Sequence, residues 1–316
     1  MSFYLTSVQS VKRYRLIRVL GAGAFGNVHE CQIVLPNGFP LPRKFAVKIL
    51  RDSNDVENVG RFAREARLLR GLRHPNLIRA VEINLSHDPP YFIMELMKET
   101  LGHRLESMAA AGQVFRSKVA LETVMFPLCK AVAHVHSRGI FHRDIKPANI
   151  YFDFRDNPVL GDFGICNERR LWAAKLTWCG LGTPWYTAPE TLKTGVATPQ
   201  SDIFSLGVVL YEMLAGGRPW GTWWNNHGLR PSVQHPRSCH PRVDDLLIKM
   251  THPDPNFRYC NVALVMRDIL QLTKVHLPPL PAYRPTPTIA LRPTLLSYQP
   301  GMPFLPLGGV PPWLAQ

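Results

Sequence analysis

Between Tyr14 and Val34 the chain reads YRLIRVLGAGAFGNVHECQIV, with Arg15, Arg18 and His29 set among apolar residues at a spacing near two. Successive side chains of a strand face opposite sides, so the stretch predicts two strands turned by the glycines of GAGAFG. Asn37-Gly38 is a hairpin signal, and RKFAVKIL supplies a third strand. From Asp55 the period changes. Val56, Val59, Phe62, Ala66 and Leu69 recur every three or four residues, which predicts a helix with one buried stripe. The stripe ends near Gly71, ahead of His74-Pro75, and YFIMELM reads as a further strand. The first hundred residues thus predict a small, mostly antiparallel sheet with one helix.

Helical spacing dominates the following part. SKVALETVMFPLCKAVAHVHSRG is apolar at that spacing, and Pro127 inside it is expected to kink or interrupt the helix. SDIFSLGVVLYEMLAGG is nearly all apolar and ends in glycines, so it predicts a helix buried on every side. RVDDLLIKM and NVALVMRDILQL are amphipathic. A sheet lobe followed by a helical lobe leaves a cleft between them, a common place for a ligand. Residues 277 to 316 differ again: eleven of the forty are proline, yet eight leucines make the segment too apolar for a plain solvated linker. This tail either packs back on the body or docks a partner, and its three PxxP spacings permit polyproline-II recognition. No internal repeat is present.

Composition narrows the classes. A chain of 316 residues with 46% hydrophobic residues allows a two-lobed unit with a sizeable core. The net charge of +14 and pI near 9.8 point to an anionic partner. No basic run with interleaved aromatics appears, so no nucleic-acid partner is expected and an Arg-rich solvated surface explains much of the charge. Six cysteines at 31, 129, 166, 179, 239 and 260 contain no CxxC pair, which reads as scattered reduced thiols and a cytoplasmic chain. His235, Cys239, His240, His252 and Cys260 fit no familiar zinc spacing. His134 and His136 lie two apart on a predicted helix and do not share a face. Of the tryptophans in RPWGTWW, packing suits Trp220, and a docking patch is open to Trp223 and Trp224. The N-terminus lacks the apolar core of a signal peptide, and no stretch of about 18 apolar residues suggests a membrane span.

The candidate chemistry sits in HRDIKPANIYF, residues 142 to 152. These side chains offer an acceptor for a hydroxyl proton, a cation for a phosphate and a carbonyl oxygen for a metal. GAGAFG alone is ambiguous, since GxGxxG also marks dinucleotide folds. In those folds strand leads into helix, with an acidic residue about 20 positions on. Here a second strand follows instead. Glycines in a strand-turn-strand let backbone N–H groups approach phosphates, and Lys48 in FAVKIL stands ready to neutralise them. Glu65, beside the buried stripe of the predicted helix, is a partner for that lysine.

Taken in order, GAGAFGNV, AVK, Glu65, HRDIKPAN, DFG at 162 to 164, APE at 188 to 190, SDIFSLG and DPNFR form a nearly complete signature set. The chain resembles a eukaryotic-type (Hanks-type) serine/threonine protein kinase catalytic domain over roughly residues 11 to 272, and RFAREARLLRGLRHPN is similar to the bacterial branch. The resemblance implies an α+β, two-lobed protein-kinase-like fold: a small antiparallel β-sheet lobe with one helix at 11–97 and a larger, mainly helical lobe at 98–275, with the Pro-rich tail at 276–316. It implies ATP and Mg2+ as cofactors and proteins with Ser or Thr acceptors as substrates. Leu20, Gly21, Ala22, Gly23, Ala24, Phe25 and Gly26 would cover the nucleotide. Val28 and Ala46 above and Tyr151 below would hold the adenine, with Met94 as gatekeeper and Glu95 and Met97 as hinge. Tyr151 departs from the aliphatic residue usual at that floor.

By the same resemblance Lys48, held by Glu65, would contact the α- and β-phosphates, and Asn149 and Asp162 would bind the metal. Asp144 would accept or orient the substrate hydroxyl proton, and Lys146 would stabilise the γ-phosphoryl group. Glu190 and Arg258 would form a buried pair, Asp202 would brace the catalytic loop, and His142, Phe163 and Leu69 would join the lobes. Arg143 would receive a phosphorylated residue from the segment 162 to 190, with Thr177 the best candidate and Thr183 a positioning residue. Two other readings stand beside this one. A kinase-fold scaffold or pseudokinase acting through the tail is opposed by the intact Lys48, Glu65, Asp144, Asn149 and Asp162. A kinase-like enzyme acting on small molecules is opposed by the GTPWY and APE segments, which serve extended peptides.

Overall fold

The first lobe holds strands β1 (Tyr4–Thr6), β2 (Arg13–Ala22), β3 (Gly26–Val34), β4 (Pro40–Leu50), β5 (Ala80–Asn84) and β6 (Tyr91–Glu95). The computed structural model describes residues 4–6, 13–22, 26–163, 185–217 and 241–274. The six strands form one antiparallel sheet in the order β1-β2-β3-β4-β6-β5. Gly38, at a φ of 85°, turns β3 into β4 as Asn37-Gly38 predicts. Strands β1 and β5 are additions to the three hairpin strands and YFIMELM read from the sequence.

Period two divides the sheet between two cores. Phe45, Val47, Tyr91 and Ile93 face a smaller cluster with Tyr14 and Cys31. Ala46, Leu50, Phe92 and Met94 face the main core. Alternate residues of β4 and β6 therefore meet an apolar core on each face of the sheet.

Helix α1 (Val56–Gly71) starts at Asp55, whose side chain accepts from the N–H groups of Glu57 and Asn58. Its buried face carries Phe62, Ala66 and Leu69 as expected, and Glu65 is buried among them rather than beside them. Val56 departs from the predicted stripe: it is 84% exposed, because it is the first helical residue and its side chain lies beyond the end of the core. The chain after α1 is then tied to the second lobe. Asn76 Nδ2 donates to Pro158 O (2.7 Å), while Leu160 N donates to Asn76 O and Ile78 N to Leu160 O, both at 2.9 Å.

The second lobe begins with β7 (Glu99–Thr100) and α2 (Leu101–Ala110). A short helix α3 (Ser117–Val119) then runs through a π-helical stretch (Ala120–Met125) into α4 (Phe126–His136). Pro127 therefore neither breaks the helix nor leaves it regular. It cannot donate to residue 123 and its ring crowds that carbonyl, so the preceding turn widens and Phe126 N–H reaches Leu121 O, five residues back. Strands β8 (Ile150–Phe152) and β9 (Pro158–Leu160) form a hairpin, and β8 also pairs with β7.

Helices α5 (Pro189–Thr194), α6 (Pro199–Ala215), α7 (Pro241–Met250) and α8 (Val262–Lys274) complete the described part of the lobe. Helix α6 is the buried one: from Ser201 to Leu214 every residue but Glu212 is buried. It starts in a Thr198/Ser201 capping box and ends at Gly216, whose left-handed φ of 71° releases the chain. One apolar core runs from Phe62, Leu69 and Phe92 of the first lobe through Leu160 and Phe163 to α4 and α6.

Cys31 and Cys129 are buried thiols, each pushed up to about 12 by burial, and Cys260 is exposed. Among the described residues no helix is long and apolar enough to cross a membrane. Cys166, Cys179, His235, Cys239, His240, Trp220, Trp223, Trp224 and the tail from Leu277 lie outside the described residues.

Candidate active site

Lys48 follows Ala46 by two positions on β4, so both side chains leave the same face of the sheet, and its register partner on β3 is Val28. Lys48 Nζ lies 2.6 Å from Glu65 Oε1 and 3.2 Å from Asp162 Oδ1. One ammonium thus ties a carboxylate of α1 to a carboxylate just beyond β9. Burial works against the Lys48 charge, but the two carboxylates outweigh it and raise its pKa above the ordinary lysine value. Burial likewise disfavours the Asp162 charge. Lys48 and a hydrogen bond from Tyr151 overcome that cost and hold Asp162 below the usual carboxylate range.

The loop between α4 and β8 takes its shape from α6. Asp202, 1% exposed, accepts from the backbone N–H of His142 through Oδ2 (2.8 Å) and from that of Arg143 through Oδ1 (3.0 Å). His136 Nε2 lies 2.8 Å from the same Oδ2, so the helix before the loop and the loop itself share one buried anion. Arg143, exposed, sits at a φ of 70°, a left-handed conformation in which consecutive N–H groups converge on that carboxylate.

His142 is fully buried, and burial lowers its pKa, which keeps the imidazole neutral. Its Nε2 meets Gly161 O at 3.1 Å, its Nδ1 faces Asp144 N at 3.4 Å, and its ring lies 4.5 Å from that of Phe163.

Asp144 is held from its own loop. Its Oδ2 accepts from Lys146 Nζ at 2.8 Å and from Asn149 Nδ2 at 3.0 Å, and Asn149 Nδ2 also donates to Asp144 O at 2.8 Å. With Nδ2 committed to Asp144, the planar Asn149 amide turns its carbonyl oxygen the other way. The β8–β9 hairpin brings Asn149 beside the Asp162 segment, since Gly161 N donates to Asn149 O at 3.0 Å.

The residues expected around an adenine gather on the main core. Ala46 and Met94 are buried in it and oppose each other in the β4–β6 register, while Val28, Met97 and Tyr151 pack against it partly buried. Glu95 is half-buried, with Arg43 at 3.6 Å. Leu20, Gly21 and Ala22 are exposed on β2. Gly26 has a packing reason for being glycine, because a Cβ there would lie 2.3 Å from Ile49 O; one at Gly21 would enter open space. Gly23, Ala24, Phe25, Gly164, Thr177 and Thr183 lie outside the described residues.

Three contacts escaped the sequence reading. The Tyr151 hydroxyl donates to Asp162 Oδ2, the Tyr186 hydroxyl donates to Glu212, and Phe92 lies under Lys48 with its ring centre 5.9 Å from Nζ. Phe92 was within reach of pattern reasoning, since β6 alternates between the two cores. The tyrosine contacts depend on how far a phenol reaches across neighbouring elements, which residue spacing does not encode.

A family model for the protein kinase domain matches residues 14–271. The chain belongs to the protein kinase family. Members of this family use ATP with a divalent metal, generally Mg2+. The kinase is 35% identical over 257 residues to the serine/threonine-protein kinase PrkC of Bacillus subtilis, covering 78% of this chain and 38% of PrkC. It is 28% identical over 276 residues to the probable serine/threonine-protein kinase PknB of Lactococcus lactis, covering 83% of this chain and 42% of PknB. It is 32% identical over 260 residues to CBL-interacting protein kinase 14 of Oryza sativa, covering 78% of this chain and 56% of that protein. The bacterial similarity expected from Arg61 to Asn76 agrees with PrkC and PknB. The kinase spans less than two thirds of the length of each of these relatives.

Proposed function

We propose that this kinase transfers the γ-phosphoryl group of ATP to Ser or Thr hydroxyls of proteins, itself included. The observation that carries the reading is the double engagement of Lys48 by Glu65 and Asp162 across the two lobes, beside an Asp144 held by Lys146 and Asn149. Such a site positions a transferred phosphoryl group and neutralises its charge, which is most of what a loose transition state requires.

The donor set fits a hard divalent cation. Asp162 offers carboxylate oxygen and Asn149 offers amide oxygen, turned away from Asp144 by the bonds of its own Nδ2. Among the described residues no group of three or more His, Cys, Asp or Glu side chains gathers as a metal site. Two protein oxygens completed by nucleotide phosphates and water match the way Mg2+ is commonly held. When bound, the cation supplies positive charge to the phosphate oxygens. Lys48 supplies a second, fixed charge, kept in place by Glu65 so that no reorganisation is needed as the reaction proceeds. Asp144 orients the incoming hydroxyl and takes its proton on a carboxylate oxygen. Lys146, 2.8 Å from Asp144 Oδ2, places its ammonium where the transferred group passes. Gly21 and the neighbouring backbone of β2 cover the nucleotide, over a floor of Tyr151 and a roof of Val28 and Ala46.

Incubation with labelled ATP, Mg2+ and a generic basic protein tests the proposal, with wild type beside Asp144→Ala. Label on Ser or Thr in the wild-type reaction, absent from the variant, is the expected result. No transfer by wild type, or equal transfer by both, contradicts it.

A further inference from the structure

Tyr151 spans two parts of the site that are otherwise separate. It is the middle residue of β8, opposite Val159, and its ring packs against the main core where the resemblance implies an aliphatic adenine floor. Its hydroxyl does not end in that apolar floor. It donates to Asp162 Oδ2, the oxygen opposite the one facing Lys48. An aliphatic side chain has no donor to make this contact.

Two neighbouring features accommodate the arrangement. A Cβ at Gly161 would lie 3.1 Å from Tyr151 Cε2 and 3.0 Å from Ile78 Cγ2, so the absence of a side chain immediately before Asp162 leaves room for the ring. Asp162 itself sits at a φ of 53°, a left-handed backbone that a residue with a side chain keeps only when its surroundings hold it there. Lys48 on Oδ1 and Tyr151 on Oδ2 are two of the groups that do so.

We propose that Tyr151 is a positioning residue for the divalent cation: its hydroxyl fixes the Asp162 carboxylate in the orientation that binds metal. The inference rests on the proposed metal role of Asp162 and Asn149. Each carboxylate oxygen accepts at two lone pairs, so the phenol occupies one site on Oδ2 and leaves the other for the cation. Partners that hydrogen-bond a metal-binding carboxylate from behind set its orientation, and losing one typically costs about 10- to 100-fold in metal affinity. The same residue forms the floor for the base and steadies the ligand of the metal.

The test uses the full chain, ADP and Mn2+, with protein-bound metal read from the enhancement of water-proton relaxation above that of Mn·ADP alone in solution. Tyr151→Phe keeps the ring and removes the hydroxyl. It is expected to weaken Mn2+ binding at saturating ADP by about tenfold, while ADP affinity measured in EDTA stays near wild type. Gly161→Ala leaves the hydroxyl in place but crowds the ring, and it is expected to weaken Mn2+ binding in the same direction. Circular dichroism and thermal melting establish that both variants are folded. Mn2+ affinity in folded Tyr151→Phe that equals or exceeds wild type overturns the role of the tyrosine. A wild type that binds ADP but no Mn2+ overturns instead the reading of the metal site beneath it.

Discussion

Arg258 and Glu190 meet fork to fork, with Nη1 2.7 Å from Oε1 and Nη2 2.8 Å from Oε2. The arginine side chain is 0% exposed, and its remaining donors reach His252 O, Gln200 O and Pro253 O. This pair pins the start of α5 to the turn before α8. A buried guanidinium loses its compensation when the carboxylate is removed, so the cost of breaking the pair exceeds the net worth of forming it.

Arg258→Met and Glu190→Ala are each expected to destabilise the folded kinase by about 3–5 kcal/mol. The double variant should be less unstable than the two losses summed, by about 0.5–3 kcal/mol. Urea unfolding of the four proteins measures both quantities. Strict additivity would show that the two groups do not support each other.

The Lys48 triad answers differently to each of its members. Lys48→Met leaves Glu65 and Asp162 facing each other without a cation, and is expected to cost about 3–5 kcal/mol of stability along with transfer activity. Glu65→Gln keeps a neutral acceptor near the lysine. Its stability should stay closer to wild type, while phosphoryl transfer falls because Lys48 is no longer held by an opposing charge. Denaturation and steady-state kinetics on the same preparations separate the two effects.

The two described glycines of GAGAFG, Gly21 and Gly26, differ in what surrounds them. Gly26→Ala drives a Cβ into the Ile49 carbonyl, a backbone atom that cannot swing aside, and is expected to cost about 1–3 kcal/mol. Gly21→Ala meets open space and should change stability by no more than about 0.5 kcal/mol, while raising KM for ATP. Thermal melts without nucleotide, followed by kinetics, check the contrast.

Stability should also fall on the acid side of neutrality. Burial depresses the pKa of His142 in the folded state, so below about pH 6.5 the unfolded chain takes up a proton that the native chain refuses. The unfolded state binds more protons there, so stability rises with pH through that window and is lost as pH falls. Melting temperatures from pH 8 to 5 measure the slope, and His142→Phe, which cannot titrate, should flatten it. An unchanged slope would assign the acid sensitivity to other groups.

The grouping of the candidate site's residues was legible in the sequence where they lie in short runs with fixed order. The spacing of His142, Asp144, Lys146 and Asn149 within one loop, and of Lys48 on an alternating strand, does not depend on where the elements begin or end. Val56 did not follow the pattern, since apolar spacing cannot tell a helix end that overhangs the core from one that packs on it. Pro127 illustrates a further limit: the sequence shows that a donor is missing, but the neighbouring turn determines whether the helix breaks or widens. The Tyr151 hydroxyl on Asp162 needs the hairpin register, the room left by Gly161 and the reach of a phenol together. Asp202 was found through its motif, whereas its bond to His136 required α4 and α6 to be packed together.

Whether Asp144 serves the reacting hydroxyl is decided most directly by phosphoryl transfer and ADP affinity measured on the same folded preparation of Asp144→Asn. Single-turnover transfer to a Ser/Thr acceptor is expected to slow by about 10²–10⁴-fold, with ADP affinity in the presence of Mg2+ close to wild type. Wild-type transfer by the variant, or a loss of nucleotide binding that matches the loss of rate, would contradict the assignment of Asp144 to the reacting hydroxyl.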